Sequence, residues 1–380
     1  MKYFLVPLLF VSTALKADVL EGIKFTPYGL MKLSVTGATG GVGSNNNWNQ
    51  VAPTQAAPDI DGAKNIDQSR FSFQAAQTRF GFTAGRGRYL SRFEFDFVDF
   101  SKSSPNVQMN PRVRIASVVM NMDSYKMIIG QDWDMFSPGK PYTYNIVGNY
   151  FMSGNVGFIR QQIQFLKDVN NFEYGFAVGM AGTNLTNNDN DTETSKTPSL
   201  ASRVTYKLEK GSVGFSGIYS NLKYDSSNGA RHDSYGLNLF FDNRWGNIVL
   251  RTEAYLGQNL VNIGAQAIGK GTATTDAKEF GSFFTVEYIR DPNITYFAGA
   301  GLARVTNQKD IAAFTWDGSR SSQYGINSNM SVKVGASLKL MDDVFWMTEI
   351  THFETDYKFA AQRHQVKSVQ VIDTGLRLAF

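Results

Sequence analysis

Runs of about ten residues in which apolar and polar side chains alternate recur along the whole chain, and this period of two restricts the available folds more than any other feature. Phe93, Phe95 and Phe97 alternate with Arg92, Glu94 and Asp96. Phe172, Tyr174, Phe176 and Val178 alternate with Glu173, Gly175 and Ala177, and residues 235–241 and 330–335 repeat the pattern. Successive side chains of an extended strand point to opposite faces, so each run makes a strand with one apolar face and one polar or small one.

The connections sort by length. Short turns at 85–87, 123–124, 168–171, 210–211, 242–246, 291–293 and 341–343 are rich in Gly, Asn, Asp and Pro, which suit tight reversals. Longer polar stretches lie between them at 36–67, 101–110, 137–156, 183–197, 224–233, 259–277, 307–326 and 357–365. Seven short and eight long connections define sixteen strands, and the even count puts both chain ends on the short-turn side. An all-β transmembrane antiparallel barrel has this layout, with short periplasmic turns and long external loops. A soluble sandwich or propeller has little reason to sort its loops by side, and it would bury its apolar faces inward.

Residues 1–17, MKYFLVPLLFVSTALKA, combine a basic start, an apolar run and small residues before a cut after Ala17, the pattern of a secretory signal. The barrel then occupies residues 18–380. Losing Lys2 and Lys16 takes the formal charge from +4 to +2, and no clustered basic patch points to nucleic acid. The absence of cysteine excludes disulfides, thiolate catalysis and cysteine-bound metals. No later apolar stretch reaches the roughly 18 residues that a spanning helix needs.

The chain ends SVQVIDTGLRLAF, with Ile372, Thr374, Leu376, Leu378 and Phe380 on one face and Asp373, Gly375 and Arg377 on the other. A last strand that closes the barrel against the first (23–35) needs no polar tail to hide an edge. Its terminal Phe380 also fits the signal read by the outer-membrane barrel assembly machinery. In QSRFSFQAAQTRFGF the apolar parity switches between Phe71/Phe73 and Phe80/Phe82, which predicts a bulge or bend near 75–77.

With the apolar faces turned to lipid and lipopolysaccharide, Arg92, Glu94, Asp96, Arg112, Arg114 and Arg160 face the lumen, joined by Arg70 and Arg79. Gln162, Gln164, Arg203, Lys207, Arg251, Glu253, Glu287, Lys333 and Glu349 face inward as well. Arg70, Arg79, Arg112, Arg114 and Arg160 come from strands two, four and six. Guanidinium groups stay charged and bind carboxylate or phosphate in pairs of hydrogen bonds. Two readings stand: an anion-selecting wall, or a wall stiffened by salt bridges to Glu94 and Asp96. The third long loop holds Lys140 and no acid, and an inward fold would place it against the arginines, with Tyr142, Tyr144 and Tyr150 as a contact surface for solutes.

Other motifs lead nowhere catalytic. GAQAIGKG (264–271) has phosphate-loop spacing, but Gly271 stands where Ser or Thr should be, and the segment reads as a flexible loop. DNDTE (189–193) lacks the turn glycine and distal glutamate of a calcium loop. His232, His352 and His364 are scattered, and no serine is paired with them in a recognisable motif. Neither a cofactor nor a catalytic residue is indicated. A surface adhesin or phage receptor, or an outer-membrane hydrolase, would use the same barrel.

The segments QSRFSF, TRFGFTAG, PRVRIASVVM, IIGQDWDMFSP and SGNVGFIRQQIQF, in this order over about 68–165, resemble the DcaP-like family of trimeric outer-membrane porins. That resemblance implies a homotrimer of sixteen-stranded barrels with an arginine-rich constriction at Arg70, Arg79, Arg112, Arg114 and Arg160. It also implies passive passage of small anionic solutes such as dicarboxylates. Some members carry an N-terminal helical extension, for which this chain leaves no room before its first strand.

Overall fold

In a computed structural model the described residues are 22–42, 69–75, 77–97, 111–144, 150–181, 197–223, 231–271, 275–311, 325–358 and 365–380. They form a closed antiparallel barrel with β1 (Lys24–Ala38), β2 (Arg70–Gln74), β3 (Arg79–Arg86), β4 (Tyr89–Phe97), β5 (Pro111–Asn121), β6 (Lys126–Trp133), β7 (Ile159–Val169), β8 (Phe172–Gly179) and β9 (Ser199–Leu208). The circuit continues through β10 (Gly211–Lys223), β11 (Arg231–Trp245), β12 (Ile248–Gln258), β13 (Lys278–Asp291), β14 (Ile294–Val305), β15 (Ile326–Met341), β16 (Val344–Tyr357) and β17 (Gln365–Ala379). β2 and β3 both pair with β1 and are two halves of one barrel strand, so the wall is sixteen strands around, as the connection count requires. All seven short turns and all eight long connections fall where the sequence places them, to within a few residues.

The break between β2 and β3 has a clear cause. Ser34 pairs with Gln74 but Leu30 with Arg79, so the second half carries one extra residue, and Gln77 adopts a left-handed φ of 72°. One residue of slip flips every following side chain, which keeps Phe71/Phe73 and Phe80/Phe82 on the same outer face. Where the ladder is interrupted, the Thr78 hydroxyl takes its place: it accepts from the Lys32 amide (3.1 Å) and donates to the Lys32 carbonyl (3.2 Å).

The outer surface carries the apolar set. Phe71, Phe215, Leu237, Leu239 and Val334 are all exposed, with Leu239 64% accessible, whereas Ser331, Lys333 and Glu349 on the other parity are buried within the barrel. A surface this apolar suits acyl chains. Tyr89, Tyr125, Tyr206, Trp245, Tyr288 and Trp346 lie exposed beside the short turns, the position of an interfacial aromatic girdle.

Closure joins β17 to β1 through nine register pairs, from Leu30↔Ala379 to Ala38↔Val371. Gly29 and Phe380 extend it, with Gly29 N donating to the Phe380 carbonyl (2.8 Å) and Phe380 N to the Gly29 carbonyl (3.2 Å). The terminal ring lies over Gly29, where a Cβ would collide with it, and it meets Phe80 at 6.0 Å between centroids. Gly29 is thus the seat of the terminal aromatic. Replacing it with valine should displace the Phe380 ring and lower the temperature at which the folded barrel unfolds, read as the electrophoretic shift of heated samples. In a Phe380→Ala background the same substitution should lose most of that effect.

Candidate constriction site

Two of the long connections fold into the barrel. Loop 3, between β6 and β7, lies along the inner wall of β10–β16. Its entry is fixed by Glu253 on β12, which accepts from the Ser137 hydroxyl (2.6 Å) and the Gly139 amide (2.5 Å). Ser216 donates to the Phe136 carbonyl. Further on, Glu349 on β16 accepts from the Tyr144 amide (2.6 Å), and the Lys32 ammonium on β1 donates to the Tyr144 carbonyl. On the return, Tyr150 stacks on Phe283 (5.7 Å, 8°), Ser153 bonds Ser331 (2.8 Å) and Asn329 donates to the Met152 carbonyl (3.0 Å). A backbone brought inside needs partners for its amides and carbonyls, and the carboxylates and ammonium of the wall supply them.

Loop 6, between β12 and β13, also turns inward, which corrects the expectation of a flexible loop at 264–271. Its 3₁₀ turn Leu260–Ile263 is fully buried, and Glu279 accepts from the amides of Ile268 (3.1 Å) and Gly269. The Gly271 amide donates to the Asn262 side chain (3.1 Å). Leu260, Val261 and Ile263 pack with Met135, Phe136 and Val156 of loop 3 against inward-facing Val119, Ile128, Leu166, Ala177, Ala201 and Ile218. This cluster fills the β6–β12 side of the lumen. Arg79, Arg92, Arg112 and Arg114, on β3, β4 and β5, lie outside this cluster, whereas β1 and β17 touch loop 3 through Lys32 and at Gly375.

The wall over β3–β5 carries most of the predicted charges, arranged in pairs. Asp96 takes the Arg112 fork at 3.1 and 2.9 Å and Arg114 Nη1 at 3.1 Å, while Glu94 Oε1 accepts from Arg114 Nε at 2.8 Å. Arg79 approaches Glu94 at 3.9 Å, and Arg92 bonds Asp132 at 3.0 Å, whose other oxygen accepts from Ser117 (2.8 Å). A second bulge makes this possible. Glu94 pairs with Ile115 but Phe95 with Val113, so Arg114 is the extra residue of β5, and its guanidinium reaches both acids. Four guanidinium groups thus face three carboxylates. Arg112 is the most accessible, with 55% of its side chain exposed against 12% for Arg114.

Several predicted residues fall elsewhere. Arg160 stands apart from that cluster: its side chain is only 3% exposed, and it donates to Asp134 (2.8 Å), to the carbonyls of Ala181 (2.8 Å), Ile263 (2.9 Å) and Met180, and lies over the Phe158 ring. It ties loops 3 and 6 and the start of the β8–β9 connection together. Lys140 sits away from the arginines, beside a cavity of about 290 Å³ shared with Ser212, Asp242 and Arg251 near the short-turn rim. Tyr144 and Tyr150 are both buried by the wall that anchors them, so of the three loop tyrosines only Tyr142, edge-on to Phe297 at 5.1 Å, keeps partial exposure. Arg70 pairs with Ala38, but its side chain, like residues 189–193 and His364, lies outside the described parts. His232 contacts Asp276 at 2.9 Å in the long-loop region.

No protein-family model matches the chain, and no curated protein matches its sequence. Solved structures do. The outer membrane channel DcaP of Acinetobacter baumannii superposes with a TM-score of 0.69 at 13% identity, over 94% of this chain and 98% of that one. The chain has the fold of the outer-membrane porins. The anion-selective porin from Comamonas acidovorans gives 0.61 at 11% identity, over 94% of this chain and all of the other. The trimer form of the outer membrane protein OmpT from Vibrio cholerae gives 0.55 at 11% identity, over 95% and 100%. Within this porin fold, Arg160 is the residue whose loss should loosen both inward loops. Arg160→Ala leaves Asp134 buried without its partner, so urea unfolding should show a loss on the order of 3–5 kcal/mol. Its channel currents should become noisier, while Arg112→Ala should change stability far less.

Proposed function

We propose that the chain is an outer-membrane porin, exported by residues 1–17, that lets small hydrophilic solutes diffuse passively and prefers anions, small dicarboxylates among them. No bond is made or broken, and no catalytic role is assigned to any residue. The observation that carries the anion preference is the composition of the passage. On one side lies the 137–156 stretch of loop 3, which has no acid and spends its backbone on wall partners. On the other, Arg79, Arg92, Arg112 and Arg114 pair with three acids among the described residues, Glu94, Asp96 and Asp132. Salt bridges lower the field of each arginine but leave it cationic in sum, and a narrow low-dielectric passage focuses that field on a permeating ion. The two sequence readings of the arginine wall therefore combine: the pairs hold the guanidinium groups in place, and the excess charge selects.

The anion-selective porin among the structural neighbours and the channel DcaP support the same reading by analogy of fold. A homotrimer in lipid and lipopolysaccharide, assembled through recognition of Phe380, accords with the half-exposed phenylalanine surface over β3 and β4. There Phe80, Phe82, Phe93, Phe95 and Phe97 form a continuous set of ring contacts. In planar bilayers under a salt gradient, the purified protein should give a reversal potential of anionic sign. Substituting Arg112 and Arg114 together by alanine leaves two guanidinium groups against three acids, so the potential should move to the cationic side. An unchanged potential would remove the arginine wall from the account.

A further inference from the structure

Among the inward-facing arginines of the passage, one was not singled out by motif and stands apart by its lack of a partner. Arg377 lies on β17, directly opposite Lys32 on β1 and three residues from the terminal phenylalanine. Arg79, Arg92, Arg112, Arg114 and Arg160 each have a carboxylate within ion-pair distance, whereas Arg377 has none among the described residues. Its Nε is screened from solvent and makes no hydrogen bond.

Neither neighbouring carboxylate forms an ion pair with Arg377 among the described residues. Asp373, four positions back on the same face of β17, accepts from the Thr36 hydroxyl at 3.0 Å, and its second oxygen is buried without a hydrogen bond. Glu349 is taken by the Tyr144 amide (2.6 Å), by Lys333 (3.3 Å) and by Thr351 (3.0 Å). Lys32 itself donates to the Tyr144 carbonyl and to the Gln77 side chain (3.1 Å). Arg377 stands opposite Lys32 across the β1–β17 seam, and Arg79 stands opposite Leu30, two positions along, on the other side of β1. Arg79 reaches its own acid only at 3.9 Å, because that oxygen is held at 2.8 Å by Arg114.

The residue between Asp373 and Arg377 on this face is Gly375, and a Cβ there would stand 2.8 Å from the Tyr144 hydroxyl. The inward loop therefore seats on Gly375, and Arg377 lies at the edge of that seat nearer the short turns. An unbalanced guanidinium beside a second loosely paired one, in a partly desolvated channel, is unfavourable unless an anion visits it.

We propose that Arg377, with Arg79 beside it across β1, forms a binding subsite for the carboxylate of a permeating solute at the rim of loop 3. This rests on the anion-preferring reading above and adds the place where the anion pauses. A guanidinium offers two parallel N–H donors to a carboxylate, so the subsite favours planar carboxylates over spherical chloride.

The chain contains no cysteine, so Arg377→Cys introduces a single thiol whose charge can be chosen by reagent. In bilayer recordings, R377C should show an anion-to-cation permeability ratio severalfold below wild type, and succinate should no longer reduce the chloride current. A cationic methanethiosulfonate should restore the ratio, and an anionic one should drive it further toward cations. R377Q, which adds no thiol, should reproduce the first drop, with folding of both variants verified by electrophoretic heat-modifiability. A wild-type ratio and succinate effect in R377C and R377Q, unmoved by either reagent, would overturn the subsite and leave an anion-preferring wild type standing. A wild-type channel with no anion preference would overturn both.

Discussion

Within a bilayer a strand edge finds no water to satisfy its amides and carbonyls, and the nine pairs between β1 and β17 remove the last such edge in this molecule. Among the register slips in the wall, two lie in its first five strands. Each is one residue long, and each turns parity to use. At Gln77 the slip keeps the phenylalanines of β2 and β3 facing lipid, with Thr78 standing in for the missing ladder bonds. At Arg114 it lets one guanidinium serve Glu94 and Asp96 together. Without the closed circuit neither fault would be tolerable, because a loosened edge would propagate through every strand it pairs with.

The interior is then divided by its loops. Glu253, Glu349 and Glu279 each accept backbone amides of an inward segment, and Arg160 donates to carbonyls of two loops. Charged wall residues thus perform two distinct tasks. On the β6–β12 side they and the apolar cluster hold loops 3 and 6 in place. On the β3–β5 side they form the cluster of arginine–carboxylate pairs. Both groups look alike in sequence, as polar residues at every second position.

That likeness explains what could be read in advance. Strand number, loop sorting, closure and the break near Ala75 follow from period-two alternation, a local property that survives folding unchanged. Arg79, Arg112 and Arg114 were legible as lumen charges for the same reason. Arg160 shares their parity but is sequestered by carbonyls from segments 20 and 103 residues away, which no local pattern encodes. The inward course of loop 6 is equally hidden: GAQAIGKG is small and flexible in composition, and its burial depends on Glu279 and on the apolar residues of loop 3. Tyr144 and Tyr150 were misjudged as solute contacts because aromatic residues in a loop carry no mark of which face will be covered.

The central claim is that water and solutes pass between loop 3 and the arginine wall, and that the opposite side of the lumen is filled. Single cysteines introduced at Arg79 and, separately, at Ser216 test it directly, since Ser216 lies behind Phe136 on the filled side. A bulky, membrane-impermeant thiol reagent should cut the current of R79C sharply and leave that of S216C unchanged. Block at S216C with none at R79C would place the channel on the wrong side of the loop and contradict the account.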